Sequence, residues 1–221
     1  MRAVLTKKYG DKTVFENLQI HFEQGEVTCV LGASGVGKTT LLRILASLEA
    51  FEGSIDDVPK KCAFVFQEPR LLPYLTVEEN LRYVGGGVDE IAKALEKAEI
   101  SALKNQKAGT LSGGEKQRVA FARAFVVTAD TVFLDEPFSS LDTALKIKLW
   151  HTFAKLWEEK KPTTVLVTHD LEEAWALGQR IIVLKDGKVA LDIRPKRSCY
   201  PTPYGETSAE KEAFIKKILE D

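Results

Sequence analysis

The strongest sign of chemistry in this chain of 221 residues is a phosphate-binding pattern over residues 32–39. The residues Gly-Ala-Ser-Gly-Val-Gly-Lys-Thr match GxxxxGK(S/T) and stand between a strand pattern and a helical pattern. Such glycines let backbone amides surround a phosphate, and the helix start directs its positive end to the same point. Lys38 can then reach the β- and γ-phosphates of a nucleotide, while the Thr39 hydroxyl binds Mg²⁺. A plain glycine-rich turn is the alternative, but it leaves the eight-residue match unexplained.

A second group of chemically useful residues stands at the end of a later strand pattern, residues 131–134. Asp135 and Glu136 follow this β-branched and apolar run directly. A carboxylate at the end of such a strand holds the metal beside a phosphate loop, so we expect Asp135 to orient Mg²⁺. Glu136 leaves the strand one residue later, where it can polarise water for in-line attack on a phosphate. Two surface acids are the alternative, which the phosphate loop disfavours.

A third segment, residues 111–118, reads Leu-Ser-Gly-Gly-Glu-Lys-Gln-Arg. Ser112 and Glu115 form a capping-box pattern, which alone predicts only the start of a helix. Gly113 and Gly114 are poor helix formers, and their position indicates a backbone that approaches an anion closely. Because the chain has only one nucleotide loop, the second phosphate-binding helix start suggests a site that serves another copy of the chain.

The elements that must position these residues alternate between strands and helices. Strand patterns cover residues 3–6, 14–22, 27–31, 63–66, 131–134 and 164–168, and a hairpin pattern covers 181–185 and 188–193. Helical patterns begin at Lys38 and Thr76 and also cover residues 91–98, 112–127, 144–160, 170–177 and 208–219. We expect Leu48 on the buried face of the first helix and a capping box of Thr207 and Glu210 on the last.

This alternation predicts an α/β fold with a mainly parallel sheet. The stretch between residues 68 and 109 differs, because it holds two short helical patterns separated by a glycine run at residues 85–87. We therefore expect a small helical lobe inserted in the α/β body at about residues 68–109.

The composition excludes several classes of protein. The chain has 31 Lys+Arg and 32 Asp+Glu, so its net charge is −1, and 44% of its residues are hydrophobic. These values argue against disorder and against bulk binding to nucleic acid. The widely spaced residues Cys29, Cys62 and Cys199 fit a reducing compartment better than a disulfide framework. Apolar runs fall short of the roughly 20 residues that a membrane-spanning helix needs, so we expect a soluble protein, and the cysteines indicate the cytosol.

In their order, the motifs resemble those of the ATP-binding-cassette family. The residues that carry the resemblance are the phosphate loop, the LSGGE segment, the FLDEP strand end, Ser139-Ser140-Leu141-Asp142 and Thr168-His169-Asp170. The similarity extends over about residues 1–195. It implies one P-loop NTPase domain over residues 1–221 that binds ATP and Mg²⁺. Within it, the resemblance implies an α/β core with an N-terminal antiparallel β subdomain over 1–67 and 110–221, and a helical lobe over about 68–109.

The resemblance also implies a homodimer. Two ATP molecules are expected between head-to-tail copies, each held by the phosphate loop of one copy and by Ser112, Gly113 and Gly114 of the other. Asp142 is expected to link the two sites across the interface. The positions that the family uses around the nucleotide phosphates correspond to Gly32, Ser34, Gly35, Gly37, Lys38, Thr39 and Thr40.

Three further positions gain a role only from the resemblance. His169 is expected to contact the γ-phosphate and hold the attacking water, and Gln67 is expected to sense Mg²⁺ and water. Tyr9 is expected to stack on adenine, and because stacking tolerates any base, use of GTP stays open. Taken alone, they are equally an ordinary strand-end histidine, a surface glutamine and a turn tyrosine. The expected catalytic residues are Lys38, Gln67, Glu136 and His169, and the expected metal ligands are Thr39, Gln67 and Asp135.

Residues 67–75, here called the proline loop, read Gln-Glu-Pro-Arg-Leu-Leu-Pro-Tyr-Leu. Their apolar and aromatic side chains suit either packing on the chain itself or a partner. In the family this region binds a permease. Its sequence is similar to the corresponding segment in the ATPases of nitrate, sulfonate, taurine and thiamine-precursor importers, which usually have Trp at the position of Tyr74. The resemblance thus implies separate membrane permease subunits, a solute-binding protein, and a location on the inner face of the cell membrane.

Three other functions are alternatives to an importer ATPase. The ATPase of an exporter or lipid-extracting complex uses the same chemistry, and the proline loop disfavours it. A soluble ATP-driven clamp in DNA repair or translation typically carries a coiled-coil insertion or a second cassette, for which 221 residues leave no room. A nucleotide-binding regulator without turnover is disfavoured because Glu136 and His169 are both present.

Overall fold

The computed structural model describes residues 1–139 and 141–220, without the side chains of residues 219 and 220. Ser140 of the Ser-Ser-Leu-Asp motif therefore lies outside the described residues. The chain forms two compact units, the first of Met1–Lys60 with residues 163–220 and the second of Lys61–Pro162. The expected bounds of the helical lobe, at about residues 68 and 109, stay a prediction.

Strands and helices alternate along most of the chain. The strands are β1 (Arg2–Tyr9), β2 (Lys12–His21), β3 (Val27–Leu31), β4 (Glu52–Asp56), β5 (Cys62–Val65), β6 (Thr131–Asp135), β7 (Thr163–Thr168), β8 (Arg180–Lys185) and β9 (Lys188–Ile193). The helices are α1 (Lys38–Leu45), α2 (Val77–Tyr83), α3 (Val88–Lys97), α4 (Gly113–Val126), α5 (Thr143–Lys160), α6 (Leu171–Leu177) and α7 (Ala209–Glu220). Within the described ranges, none of these helices has the length and apolar character needed to cross a lipid bilayer.

An antiparallel sheet of the order β2-β1-β4 opens the first unit. Strand β4 was not predicted, because Glu-Gly-Ser-Ile-Asp has little strand propensity. Its pairing with β1 makes it a strand, with Val4 opposite Ser54 and Leu5 opposite Gly53. A β-carbon on Gly53 would lie 2.0 Å from the Val4 carbonyl oxygen, so the close approach requires glycine. Long-range pairing therefore overrides the local sequence pattern here.

A second group of paired strands in the first unit, β3, β7, β8 and β9, carries the phosphate loop. Strand β3 pairs in parallel with β7 on one side and with β8 on the other, while β8 and β9 form an antiparallel hairpin. All residues of β3 and β7 are buried, as expected for parallel strands covered on both faces. These pairings confirm the α/β class with a mainly parallel sheet and an antiparallel sheet from the N-terminal residues.

Two local predictions in the first unit are wrong. Helix α1 ends before Leu48, because Ser47 has a left-handed φ of 57°. Leu48 is consequently 65% exposed instead of buried. The cap of α7 lies one residue later than expected, since Ser208 Oγ accepts a hydrogen bond from the Lys211 amide at 3.1 Å. Thr207 therefore lies outside the cap, and serine at the next position takes the same role.

The second unit is built around the parallel pair β5 and β6, in which Cys62–Val65 lie opposite residues 131–134. Helix α4 packs on β5 and on the helices α2, α3 and α5. In its core, the Phe121 ring lies 5.5 Å from Phe138 and 6.1 Å from Phe153, measured between centroids. All three rings are fully buried, so α4 contributes a large part of the core of this unit.

Candidate functional site

The phosphate loop between β3 and α1 has a backbone that only glycine adopts easily. Gly35 and Gly37 have φ values of +81° and +108°. A β-carbon on Gly37 would lie 2.6 Å from Val14 Cγ1, and one on Gly32 would lie 2.7 Å from the Leu184 carbonyl oxygen. The loop is thus curled tightly against β2 and β8. At Gly35, in contrast, a β-carbon would meet nothing within 4 Å, so this part of the loop faces open space.

The start of α1 concentrates positive charge at this loop. Lys38 is buried, and its Nζ donates hydrogen bonds to the carbonyl oxygens of Gly32 at 2.7 Å and Ala33 at 3.1 Å. Thr39 is exposed and Thr40 half-buried in the same turn. The first turn of α1, residues 38–41, contains no acidic residue that would offset the helix dipole. The arrangement therefore suits an anion with several negative charges.

A cavity of about 790 Å³ adjoins the phosphate loop, a volume typical of sites for small ligands. Its walls include residues 32–36 of the phosphate loop, residues 12–14 of β2, His169, residues 185–187 at the turn between β8 and β9, and Ile218 of α7. Open backbone at Gly35 and the nearby Lys38 ammonium fit the phosphates of a nucleotide in this space.

His169 reaches this cavity from a strand end that is fixed on both sides. Before it, the buried Thr168 hydroxyl donates to Glu173 Oε2 at 2.6 Å. After it, Asp170 caps α6, and its Oδ1 accepts from the amides of Glu172 and Glu173 at 2.8 and 3.3 Å. The exposed imidazole therefore projects from a rigid turn, which keeps it beside the phosphate loop.

Tyr9 occupies a different place from the cavity wall. It ends β1, is 47% exposed, and is not among the described residues that line the cavity. Lys7 Nζ lies 4.6 Å from its ring centroid and donates to Glu49 Oε1 at 2.7 Å. The wall instead uses residues 12–14 and 185–187, which the sequence did not suggest. For residues 12–14, the turn between β1 and β2 beside Tyr9 was the sequence feature that could have indicated them.

The start of α4 in the second unit holds the predicted second anion site. Ser112 and Glu115 form the expected capping box, with the Ser112 amide donating to Glu115 Oε2 at 2.8 Å. The Ser112 hydroxyl also donates to Glu115 Oε2, at 2.7 Å, and this bond and the amide bond lower the pKa of the Glu115 carboxyl. A β-carbon on Gly114 would lie 2.8 Å from Leu145 Cδ1, whereas one on Gly113 would meet nothing within 4 Å. Gly114 therefore has a close neighbour within its own chain, whereas Gly113 faces open space.

The acidic residues and Gln67 belong to the second unit as well. Asp135 ends β6, and the half-buried Glu136 has a left-handed φ of 46°, a strained conformation that is common at functional sites. The Glu136 carbonyl accepts from Ser139 Oγ at 2.8 Å. Because β5 and β6 run parallel, Gln67 and Asp135 leave the pair at the same edge. Asp142 caps α5 through a 3.0 Å hydrogen bond from an amide of its first turn.

The predicted residues thus form two groups. The first unit gathers the phosphate loop and His169 around one cavity. The second unit holds Gln67, Asp135 and Glu136 at strand ends and Ser112, Gly113, Gly114 and Asp142 at helix starts.

Comparison with known proteins identifies similar chains. Residues 15–139 match the family model described as ABC transporter. The aliphatic sulfonates import ATP-binding protein SsuB 1 of Pseudomonas fluorescens is 41% identical over 205 residues, which cover 89% of this chain and 79% of that protein.

Two solved structures are similar in fold. The ATP-binding cassette MJ0796, solved as a dimer in a post-hydrolysis state bound to ADP and Pi, has a TM-score of 0.72 and 33% sequence identity. That match covers 87% of this chain and 97% of the cassette. The cbiO1 protein of Clostridium perfringens, part of the ABC transporter complex cbiONQ, has a TM-score of 0.80 and 24% identity, and the match covers 99% of this chain and 92% of that one.

Proposed function

The chain belongs to the ABC transporter family as an ATP-hydrolysing subunit, and on this premise we propose that it powers the import of small organic sulfonates through a separate permease. The observation that carries the proposal is the phosphate loop with His169 at one cavity, in a chain 41% identical to an aliphatic sulfonates import protein. Sulfonates are the cargo class because the similarity extends over 89% of the chain, well beyond the phosphate loop.

ATP binding is assigned to the phosphate loop and its neighbours. The backbone at Gly32, Ser34, Gly35 and Gly37 holds the phosphates together with Lys38, Thr39 and Thr40. The tight turns and the buried lysine support this assignment. Tyr9 stacks on the base, an assignment that its 47% exposure supports.

Mg²⁺ is assigned to Thr39, Gln67 and Asp135 on the chemistry of their side chains. Hydroxyl, amide and carboxylate oxygens are the hard ligands that this ion prefers. An Mg²⁺ ion held by these residues would neutralise the negative charge that develops on the leaving oxygen during phosphoryl transfer.

The attack on ATP is assigned to Glu136, His169, Lys38 and Gln67. Glu136 accepts a proton from the attacking water, a role that its place directly after the strand end and its strained backbone support. His169 holds the same water and contacts the γ-phosphate. Lys38 stabilises the charge of the phosphates, and Gln67 senses Mg²⁺ and the water. Phosphoryl transfer depends mainly on positioning and charge stabilisation. The rigid turns that hold these residues therefore matter more than how many residues take part.

A second copy of the chain completes each site. Ser112, Gly113 and Gly114 of one copy contact the nucleotide of the other, and Asp142 connects the two sites. The open space at Gly113 supports this contact, as does the dimeric state of the similar cassette MJ0796. Permease subunits dock at the proline loop, where Tyr74 is 87% exposed, and a solute-binding protein delivers the cargo. The subunit then works on the cytoplasmic face of the membrane.

Growth on a sulfonate tests the proposal. A source strain that lacks this chain should fail to grow with ethanesulfonate as the sole sulfur source but should grow on sulfate. The wild-type gene and the variant Glu158→Gln, which changes an exposed acid of α5, should restore growth. Glu136→Gln should not, and the purified variant should still bind ATP while losing turnover. Normal growth of the deletion strain on ethanesulfonate contradicts the cargo, and normal turnover by Glu136→Gln contradicts the catalytic assignment.

A further inference from the structure

The proline loop is held from one side by an arginine of α4. Arg123 Nη1 donates to the Arg70 carbonyl oxygen at 2.8 Å, and Nη2 donates to the Pro69 carbonyl oxygen at 2.9 Å. The rigid, planar guanidinium therefore bonds two consecutive peptide groups of the loop. This geometry fixes the direction of the loop as well as its distance from α4.

The environment of Arg123 indicates more than a surface contact. The side chain is only half-exposed, and burial lowers the pKa of its guanidinium, which nevertheless stays charged. Its two hydrogen-bond partners described here are backbone carbonyls, not carboxylates. Removing a cation from water has a cost in free energy, which an apolar residue of similar length would avoid. Burial alone therefore does not favour arginine at this position, and the reason for arginine is its pair of hydrogen bonds to the loop.

The residues around these carbonyls form a stiff turn. The Arg70 guanidinium lies 3.8 Å from the Phe66 ring centroid, and Phe66 stacks on Phe64 of β5 at 4.6 Å. Arg70 itself has a left-handed φ of 46°. Gln67 lies inside this turn, between Phe66 and Pro69. A shift of the two carbonyls would therefore move the segment that carries Gln67.

The other end of the proline loop is bonded to the segment that leads into α4. The Pro73 carbonyl accepts from the Gly109 amide at 2.9 Å, and the Leu75 carbonyl accepts from the Ala108 amide at 2.9 Å. The fully buried Asn80 of α2 bonds the Leu72 amide at 2.8 Å. The loop is thus connected to α4 twice, directly through Arg123 and through the residues that precede Ser112.

We propose that Arg123 is a positioning residue that couples the start of α4 to the proline loop. Ten residues separate Gly113 from Arg123, so a helix with a rise of about 1.5 Å per residue carries a movement over about 15 Å. When Ser112 and Gly113 engage the nucleotide of a partner copy, α4 moves as one body and Arg123 moves the loop with it. The inference rests on the proposed function, because it assumes that contact.

Hydrogen exchange with and without Mg·ATP tests the coupling in the full chain. The measurement uses the Glu136→Gln background, so that nucleotide stays bound. With Arg123 intact, peptides covering residues 112–117 and 68–75 should both exchange more slowly on addition of Mg·ATP, by about fivefold or more. With Arg123→Met, which keeps the side-chain length but removes both donors, residues 112–117 should still slow. Residues 68–75 should slow much less than with Arg123 intact, because only the hydrogen bonds of Pro73 and Leu75 to residues 109 and 108 still connect the loop to α4.

Two further variants make the test specific. Arg118→Met removes another arginine of α4, whose Nη1 contacts the Ala98 carbonyl at 3.5 Å, and it should leave the response of the loop intact. Arg123→Lys keeps a charged donor and should restore part of the response. It also takes the place of Arg123→Met should that variant lack a cooperative thermal transition.

The outcomes separate the inference from the proposed function. Slowing at residues 68–75 in Arg123→Met equal to that with Arg123 intact overturns the coupling. Loss of the loop response in Arg118→Met as well overturns a specific role for Arg123. If residues 112–117 do not respond to Mg·ATP even with Arg123 intact, the contact of the α4 start with nucleotide is wrong, and the inference fails with it.

Discussion

The two helix starts assigned to nucleotide phosphates, α1 and α4, are built in different ways. At α1, the N-cap is Gly37 with a φ of 108°, without a side-chain cap and without an acid in residues 38–41. Its first amides and its dipole are therefore available to an anion. At α4, Ser112 and Glu115 already cap the helix, and the Glu115 carboxylate bonds the Ser112 amide.

The difference extends to the glycines. Gly37 is required by its own chain, because a β-carbon there would lie 2.6 Å from Val14 Cγ1. Gly113 is not, because a β-carbon there would meet nothing within 4 Å. In the proposed function, the α1 start binds the phosphates within one copy, whereas the α4 start adds contacts only once a second copy is present. The α1 start should determine the affinity for ATP, and the α4 start should sense the ATP that is bound to the partner copy.

Breaking the first helix start should have the largest effect. In Gly37→Ala, the left-handed backbone and the clash with Val14 together should weaken ATP binding about 100-fold or more. Isothermal titration calorimetry of the purified chain measures this directly. Gly205→Ala is the matched control, since Gly205 also has a positive φ, of 73°, but a β-carbon there meets nothing within 4 Å. Wild-type affinity in Gly37→Ala contradicts the assignment of the phosphate loop.

Breaking the second helix start should separate turnover from binding. Gly113→Ala should lower ATP turnover about tenfold or more by pushing the partner's nucleotide away, while ATP affinity of the single chain stays within about twofold of wild type. Thermal stability should not fall, because alanine is the better helix former and no neighbour obstructs it.

Gly114→Ala provides the contrast for this prediction. Its β-carbon would lie 2.8 Å from Leu145 Cδ1, so this variant should melt at a lower temperature than Gly113→Ala. ATPase rates at saturating ATP and thermal melts of the two variants distinguish the two effects. Equal loss of ATP binding in Gly113→Ala and Gly37→Ala would show that both helix starts bind nucleotide within one chain.

The same two regions show how far the sequence alone could be interpreted. The phosphate loop and the α4 cap depend on neighbours within a few residues, so local patterns predicted both. The walls of the cavity at residues 12–14 and 185–187 come from turns more than 150 residues apart in the chain, and no local pattern connects them. Strand β4 likewise depends on pairing with β1. The close contact of Gly114 with Leu145 could not be predicted either, because Leu145 belongs to another helix.

The smallest expected effect concerns acid, to which the two helix starts should respond differently. Hydrogen bonds from Ser112 lower the pKa of Glu115 below its ordinary value of 4.5, so the folded chain binds this proton less readily than the unfolded chain. The stability that Glu115 contributes is therefore present above that value and is lost as the pH falls through the lowered folded-state pKa. The α1 start has no such acid in residues 38–41.

Urea unfolding between about pH 7 and pH 3 measures this contribution, because ionised carboxylates that gain hydrogen bonds on folding make stability fall with acid. Glu115→Gln should be less stable than wild type at pH 7, and the difference should shrink as the pH falls. Glu79→Gln, at the capping box of α2, should behave in the same way, because hydrogen bonds from Thr76 lower the pKa of Glu79. A difference between wild type and Glu115→Gln that is constant with pH would mean that the α4 start lacks a titrating cap. The contrast between the two helix starts would then rest on Gly37 and Gly113 alone.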